Sequence, residues 1–356
     1  MTKASNVGSS DTHRKLGVKY FVFVWPLFFA ICFGLGYPSL SRYDPRQVEG
    51  LSDAANYYQL ATGEDASTMR EVFRCRILVP YVARPFYLLA NNHLRTWNAG
   101  FFALLLASSL FCATTACFVV AIGVKLSGDM TAALLGATLY LLNFSVSNLQ
   151  LSGMIDAGEA CFIAAMIWSL LTGRWYLLPL WGLLGALAKE TFVPLSTMIA
   201  LPWWLIVWRQ RKVGAGVFLW VVSLGMVGIT AVIAVHSIIY GQLRWPWRFV
   251  VPANADFLRA LWRCISERNF WYVFGWLIPF GVWRLRYFPR AMVIASVAAA
   301  VTAILLGALI DAGGSIGRSV FNVTGPLLSL SVASLISART NRSQQGTIPA
   351  DNLELP

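Results

Sequence analysis

At 356 residues, 57% of them hydrophobic and only 12% charged, the chain carries far less charge than the roughly 25% of a soluble domain. Apolar runs recur from end to end, which excludes an ordinary soluble enzyme and defines an all-α, polytopic integral membrane protein. The net charge of +12 lies in the short loops between runs, where it reports orientation, and no nucleic-acid partner is expected.

Hydropathy predicts about ten transmembrane helices: 16–36, 98–123, 130–148, 157–172, 175–188, 191–208, 214–239, 270–284, 289–310 and 319–337. The first follows "THRKLGVKY". Its apolar run is too long for a signal-peptide core and no small-x-small cleavage site follows, so it reads as a span that stays attached. Residues 1–15 form an N-terminal segment, 16–337 the transmembrane domain, and 338–356 a polar tail expected to be disordered. With the N-terminus inside, Lys125, Arg174, "RQRK", "RLRYFPR" and "SARTNR" all fall on the inner face. That is the positive-inside pattern, and it places both termini in the cytoplasm.

The outer side then carries a long first loop, 37–97, a second large segment, 240–269, and the short "DAGGSIGR". Twelve of the sixteen acidic residues fall outside, as do fourteen of the twenty-eight Lys and Arg, and thirteen of those fourteen are Arg. Arginine grips phosphate with a planar fork, so an Arg-rich outer face suits an anionic head group. The bland reading is solvation of long loops, which translocate whatever their charge.

Within the first loop, "SDAANYYQLATG" predicts a helix with Ser52 as N-cap and Ala54, Tyr58 and Ala61 on one face. Asp53 falls in its first turn, with Tyr57 one turn on. Simple helix capping would explain Asp53 as well. Downstream, "REVFRCRILVPYVARPF" places Arg70, Arg74, Arg76 and Arg84 around an apolar stripe, as in a segment lying flat on a membrane. The segment "PWRFVVPANADFLRALWR" repeats the pattern, with Phe257, Leu258, Leu261 and Trp262 as the apolar face. Trp245 and Trp247 suit the aromatic belt.

Two predicted spans, 157–172 and 175–188, reach only about 21–24 Å as helices, against a hydrocarbon core of roughly 30 Å. Asp156, Glu159, Lys189 and Glu190 at their ends would sink below the surface, facing a water-filled cavity or pairing with one another, the bland alternative being that Lys189 and Glu190 form a simple turn at the membrane surface. Arg318 follows a glycine run and opens the last span, a backbone able to approach an anion, or merely a tight turn. Cys75 and Cys264 lie in the two outer loops, where a bridge is one alternative. No Cys/His cluster has metal spacing, so no metal site or other cofactor is expected, though a divalent ion stays open.

The order of these features, a span, a long outer loop with an Asp–Tyr helix, "FRCRILVPYVARP", then "ALAKETFVPL" and late "GRSVFNVTGPLL", resembles the bacterial branch of the GT-C membrane glycosyltransferases. The resemblance runs from about 16 to 337. It implies a polyprenyl-phosphate-sugar donor, amphipathic helices in the first outer loop and an acidic catalytic residue there. In many relatives that acid has an acidic neighbour. Here Asp53 has none, Asp44 being the nearest upstream. On this reading Asp53 is the general base that takes the acceptor's proton, and Arg76, Lys189 and Arg318, with Arg84, hold the lipid phosphate. Tyr57, Tyr58 and Glu190 position the sugar or the base. The implied location is a bacterial inner membrane, with the site facing the periplasm and the acceptor a glycan, lipid or protein. The alternatives are a transporter or flippase of a lipid-linked sugar, a polysaccharide polymerase or ligase, and a non-catalytic assembly subunit.

Overall fold

The computed structural model describes residues 9–40, 53–64, 69, 71–94, 97–243, 245, 257–309 and 316–345. Every regular element among them is helical. In chain order these are α1 (Ser9–Leu40), α2 (Ala54–Thr62), α3 (Glu71–Arg74), α4 (Leu78–Ala90), α5 (Ala99–Ser127), α6 (Met130–Leu141), α7 (Phe144–Asn148), α8 (Asp156–Leu171), α9 (Leu178–Ala188) and α10 (Phe192–Arg209). They continue as α11 (Phe218–Tyr240), α12 (Phe257–Ser266), α13 (Arg268–Phe274), α14 (Leu277–Val282), α15 (Arg290–Leu309) and α16 (Ile316–Gln345).

Among the described residues, five helical stretches are long and apolar enough to cross a membrane: Ala99–Ser127, Phe192–Arg209, Ala215–Tyr240, Arg290–Leu309 and Ile316–Ser337. A sixth arises if Met130–Leu141 and Phe144–Ser152, bent by 42°, form one broken span. Phe23–Pro38, Leu78–Ala90 and Trp175–Ala188 are apolar but shorter. A helical bundle of this kind satisfies its backbone within each segment, as a membrane requires.

Two expected spans are not continuous helices. The stretch 270–284 divides between α13 and α14, and a single 3₁₀ turn follows at Leu285–Tyr287. Pro279 lacks an N–H and its ring opposes the carbonyl of residue 275. Gly275 adds the entropic weakness of a mid-helix glycine. The break in 130–148 has its own cause in Asn143, which is fully buried. Its Oδ1 accepts the Ser145 N–H at 2.9 Å and caps α7, while its Nδ2 donates to the Val273 carbonyl at 3.0 Å. The two interruptions therefore touch, and the Phe144 and Tyr272 rings lie 5.2 Å apart beside them.

α5 is the central element, packed on α1, α4, α6 and α8. Its length and small residues permit this: Ala103, Ala107, Ala113 and Ala116 are all fully buried. α16 closes the bundle against α6, α8, α14 and α15. It runs to Gln345, beyond the expected end at 337, so the first part of the expected tail is helix. The starts of α8, α10 and α16 meet the end of α9 at one end of the bundle, where ion pairs join them. The ends of α8 and α10 and the start of α15 share a cavity at the other. There Ser337 also donates to Asp129 at 2.9 Å.

α12 keeps three of the four residues of its expected apolar face exposed, while Leu261 packs against the core. Phe257, Leu258 and Trp262 point away from the protein, and Ala260 and Cys264 point into it. The exposed row suits an interfacial helix with its apolar face in lipid. Ser52, Arg70, Trp247 and the "DAGGS" run lie outside the described residues.

Candidate functional site

At the end of the bundle where α8, α10 and α16 begin, six charged side chains and two hydroxyls form two hydrogen-bonded groups, brought side by side by the neighbouring Lys189 and Glu190. α2 supplies the first side chain. Ala54, Tyr57 and Ala61 form its buried face, one residue out of phase with the Ala54–Tyr58–Ala61 face predicted. Tyr57 is therefore turned into the site. Tyr58 instead packs its ring 5.0 Å from Phe101, on the α5 side. The helix stops at Gly63, whose φ of 80° is a left-handed closure open to glycine.

Between α3 and α4 the chain turns at 75–77, and this turn aims Arg76 into the protein. Its Nε donates to Glu190 Oε2 at 2.9 Å, and its Nη2 donates to Oε1 of the same carboxylate at 2.5 Å. Its Nη1 donates to the Tyr57 hydroxyl at 2.9 Å. The guanidinium also lies 5.4 Å from the Phe73 ring centre. This two-pronged pairing is the strong form of an Arg–carboxylate contact. The Tyr57 phenol is raised to about 12: burial pushes it up most, Arg76 pulls it down, and Asp156 and Asp53 add to the rise. Burial also works to raise the Glu190 carboxyl, but Arg76, its hydrogen bonds and Lys189 override it, so the net shift is downward.

The second half of the cluster centres on Lys189. Its Nζ donates to Asp156 Oδ1 at 2.8 Å and to Glu159 Oε2 at 3.2 Å. Arg318 Nη1 donates to Asp156 Oδ2 at 3.0 Å. Glu159 further accepts from the Thr191 hydroxyl at 2.6 Å and from Asn322 Nδ2 at 2.8 Å. From Asn322 the polar chain continues inward: Gln150 Nε2 donates to Asn322 Oδ1 at 3.0 Å, and the Cys112 thiol donates to Gln150 Oε1 at 3.4 Å. Side-chain exposure is 9% for Lys189, 3% for Asp156 and 0% for Glu159. The charges at the ends of the short α8 and α9 are buried in the protein and pair with one another, one of the expected alternatives. The close approach that allows it is visible at Gly158, where a Cβ would stand 2.7 Å from Val79 and 3.1 Å from Ala188.

Of the residues singled out from sequence, Tyr57, Arg76, Lys189, Glu190 and Arg318 meet in this cluster. Arg84 does not: it is exposed, and its guanidinium sits beside Gly63. Asp53 occupies the N-cap position of α2 but makes no capping hydrogen bond. It is half-buried and close enough for its charge to act on Tyr57. Asp53 therefore holds the capping position without the side-chain capping bond. Thr191, Asn322 and Gln150 were not foreseen. The spacing of Arg318 and Asn322, one helical turn apart on one face, was the available signal. Three cations, Arg76, Lys189 and Arg318, stand against three carboxylates, Asp156, Glu159 and Glu190, so the cluster is formally neutral. Among the described residues, no group of three or more His, Cys, Asp or Glu side chains is arranged to hold a metal ion.

No protein-family model matches the chain, and no curated protein matches its sequence.

Proposed function

We propose that the chain is a membrane glycosyltransferase that moves a sugar from a polyprenyl-phosphate donor to an acceptor at the face bearing the ionic cluster. The observation that carries this reading is the convergence of Arg76, Lys189 and Arg318, from three distant parts of the sequence, at the end of the bundle where α2 turns Tyr57 inward, one helical turn after Asp53. In the reaction, the Asp53 carboxylate takes the proton of the acceptor hydroxyl. That oxygen bonds to the anomeric carbon as the carbon–oxygen bond to the lipid phosphate breaks. The departing phosphate keeps the electron pair and is stabilised by the cations. Because each cation already holds a carboxylate, the donor phosphate competes with Glu190 and Asp156 for them. The amphipathic α12, with its apolar row exposed, would lie in the interface from which a lipid donor arrives.

The test is turnover of a panel of polyprenyl-phosphate sugars by the purified protein, beside an Asp53→Asn variant of matched thermal stability. Donor consumption by the wild type that is lost in the variant supports the reading. Equal consumption in both moves the base elsewhere, to Asp44 or Glu190.

One observation favours a second reading, transport of a lipid-linked sugar. Two interrupted helical segments, α6–α7 and α13–α14, meet through Asn143 and Val273, and broken helices are common at transporter binding sites. Translocation across proteoliposomes without donor consumption would select this alternative.

A further inference from the structure

The other end of the bundle holds a cavity of about 400 Å³, within the range of small-ligand sites. α8 begins at the ionic cluster and ends here, 16 residues on, so the two sites sit about 24 Å apart along one helix. The inner wall is apolar: Trp175, Trp203 and Val207 line it, and both tryptophans are buried. The rim is polar and basic, formed by Gln210, Lys212 and Arg290.

Three features converge on an anion at that rim. Lys212 and Arg290 are exposed, and among the described residues neither has a carboxylate partner. Arg290 opens α15, whose first-turn N–H groups have no partner within the helix. The carbonyls at the end of α10 are occupied, since the Gln210, Arg211 and Lys212 N–H groups close back onto Ile206, Trp208 and Val207. That closure holds Arg211 at φ 55°, the one positive φ among the described non-glycine residues. A left-handed arginine where glycine is usual marks a turn shaped for something other than ease of folding. The surrounding sequence has no acidic residue between Glu190 and Asp256 or between Glu267 and Asp311.

Arg209 and Arg211 are exposed beside Lys212 but do not line the cavity, and two further cations are engaged with rings. Arg174 stacks on Trp168 at 4.5 Å and Arg284 on Tyr287 at 4.8 Å. Lys212 and Arg290 are the pair at the cavity mouth. Along α15, Ile294 and Val297 follow Arg290 at helical spacing and are exposed, so an apolar track leads from the rim into the membrane-facing surface.

We propose that this cavity binds an anionic phospholipid of the adjoining leaflet. Its phosphate lies between Lys212, Arg290 and the first turn of α15. Its glycerol and upper acyl carbons lie against Trp175, Trp203 and Val207, with the chains continuing along Ile294 and Val297. The apolar wall is what selects a lipid over free phosphate, and the basic rim is what selects an anionic lipid over a zwitterionic one.

The test is native mass spectrometry of the full-length protein, stripped in neutral detergent and returned to phosphatidylglycerol or phosphatidylcholine. The wild type should retain phosphatidylglycerol and not phosphatidylcholine, and millimolar inorganic phosphate should not displace it. Lys212→Gln with Arg290→Gln should weaken retention by about tenfold or more. Arg286→Gln, outside the cavity, should leave it unchanged. The charge-keeping pair Lys212→Arg with Arg290→Lys should also retain the lipid, which separates loss of the site from loss of the fold. Equal retention by the glutamine pair, equal retention of phosphatidylcholine, or displacement by phosphate would overturn the proposal.

Discussion

Arg76 and Glu190 are 114 positions apart in sequence, yet the guanidinium of one meets the carboxylate of the other through two hydrogen bonds. This pair ties the first loop to the turn between α9 and α10. The third arm of Arg76 reaches Tyr57, so a single side chain joins α2, the α3–α4 turn and the bundle.

The pair should behave as a coupled unit. Its side chains are 12% and 18% exposed, so removing one partner strands a charge that is mostly out of water. Arg76→Gln or Glu190→Gln alone should cost about 2–4 kcal/mol. The double variant should cost less than the sum, by roughly 0.5–3 kcal/mol. Unfolding of the four proteins in one detergent measures the coupling. Strictly additive losses would show that the two groups do not act on each other.

The same pair sets a pH dependence. The Glu190 carboxyl titrates below its ordinary 4.5 in the folded protein. The folded state therefore releases this proton more readily than the unfolded chain does. Its stabilising effect is present above pH 4.5 and is lost as the pH falls below that value, through the folded pKa. Melting curves recorded downward from neutral pH should steepen in that window for the wild type. In Glu190→Gln that part of the slope should be missing. A slope unchanged by the substitution would assign the acid sensitivity to other carboxylates.

Much of this arrangement was legible in the sequence because it follows from length and hydropathy. The short apolar runs before Lys189 and after Asp156 were enough to single out these charges, with pairing as one of the arrangements open to them. The phase of α2 was not legible. Ala54 and Ala61 fit a face with either tyrosine, and the choice of Tyr57 is made by Arg76, a tertiary partner that no local pattern reveals. Arg84 was grouped with Arg76 by proximity in sequence. The turn at 75–77 separates them, sending one into the cluster and leaving the other exposed. The break at 270–284 was signalled by Gly275 and Pro279, but hydropathy averages over such residues and reads a continuous span.

That division makes a prediction about activity. If donor turnover uses the cluster, Tyr58→Phe and Arg84→Ala should stay within about twofold of wild type, because neither side chain reaches it. Arg318→Gln should lower turnover by about 10²–10³, the usual effect of removing one group that stabilises developing negative charge. The comparison is made at equal thermal stability, since Arg318 also pairs with Asp156 at 3.0 Å. Similar losses from all three would point to a structural effect and against the assigned roles.

Neutrality of the cluster makes Asp156 its most informative member. This carboxylate sits between Lys189 at 2.8 Å and Arg318 at 3.0 Å. Asp156→Asn leaves three cations facing two carboxylates, with Arg318 short of its acidic partner. The neutral variant should be less stable in plain buffer, by about 3–5 kcal/mol for a buried pair left broken. It should also recover more stability than wild type when an anion is added, since a ligand that binds only the folded state at about 100 times its Kd contributes about 2.7 kcal/mol. Melting with and without a short-chain polyprenyl phosphate measures this. A larger upward shift in Asp156→Asn than in wild type would mean that phosphate and Asp156 compete for the same cations. An equal shift in both would place the phosphate away from Arg318 and Lys189, leaving the cluster as a structural tie between α8, α9 and α16.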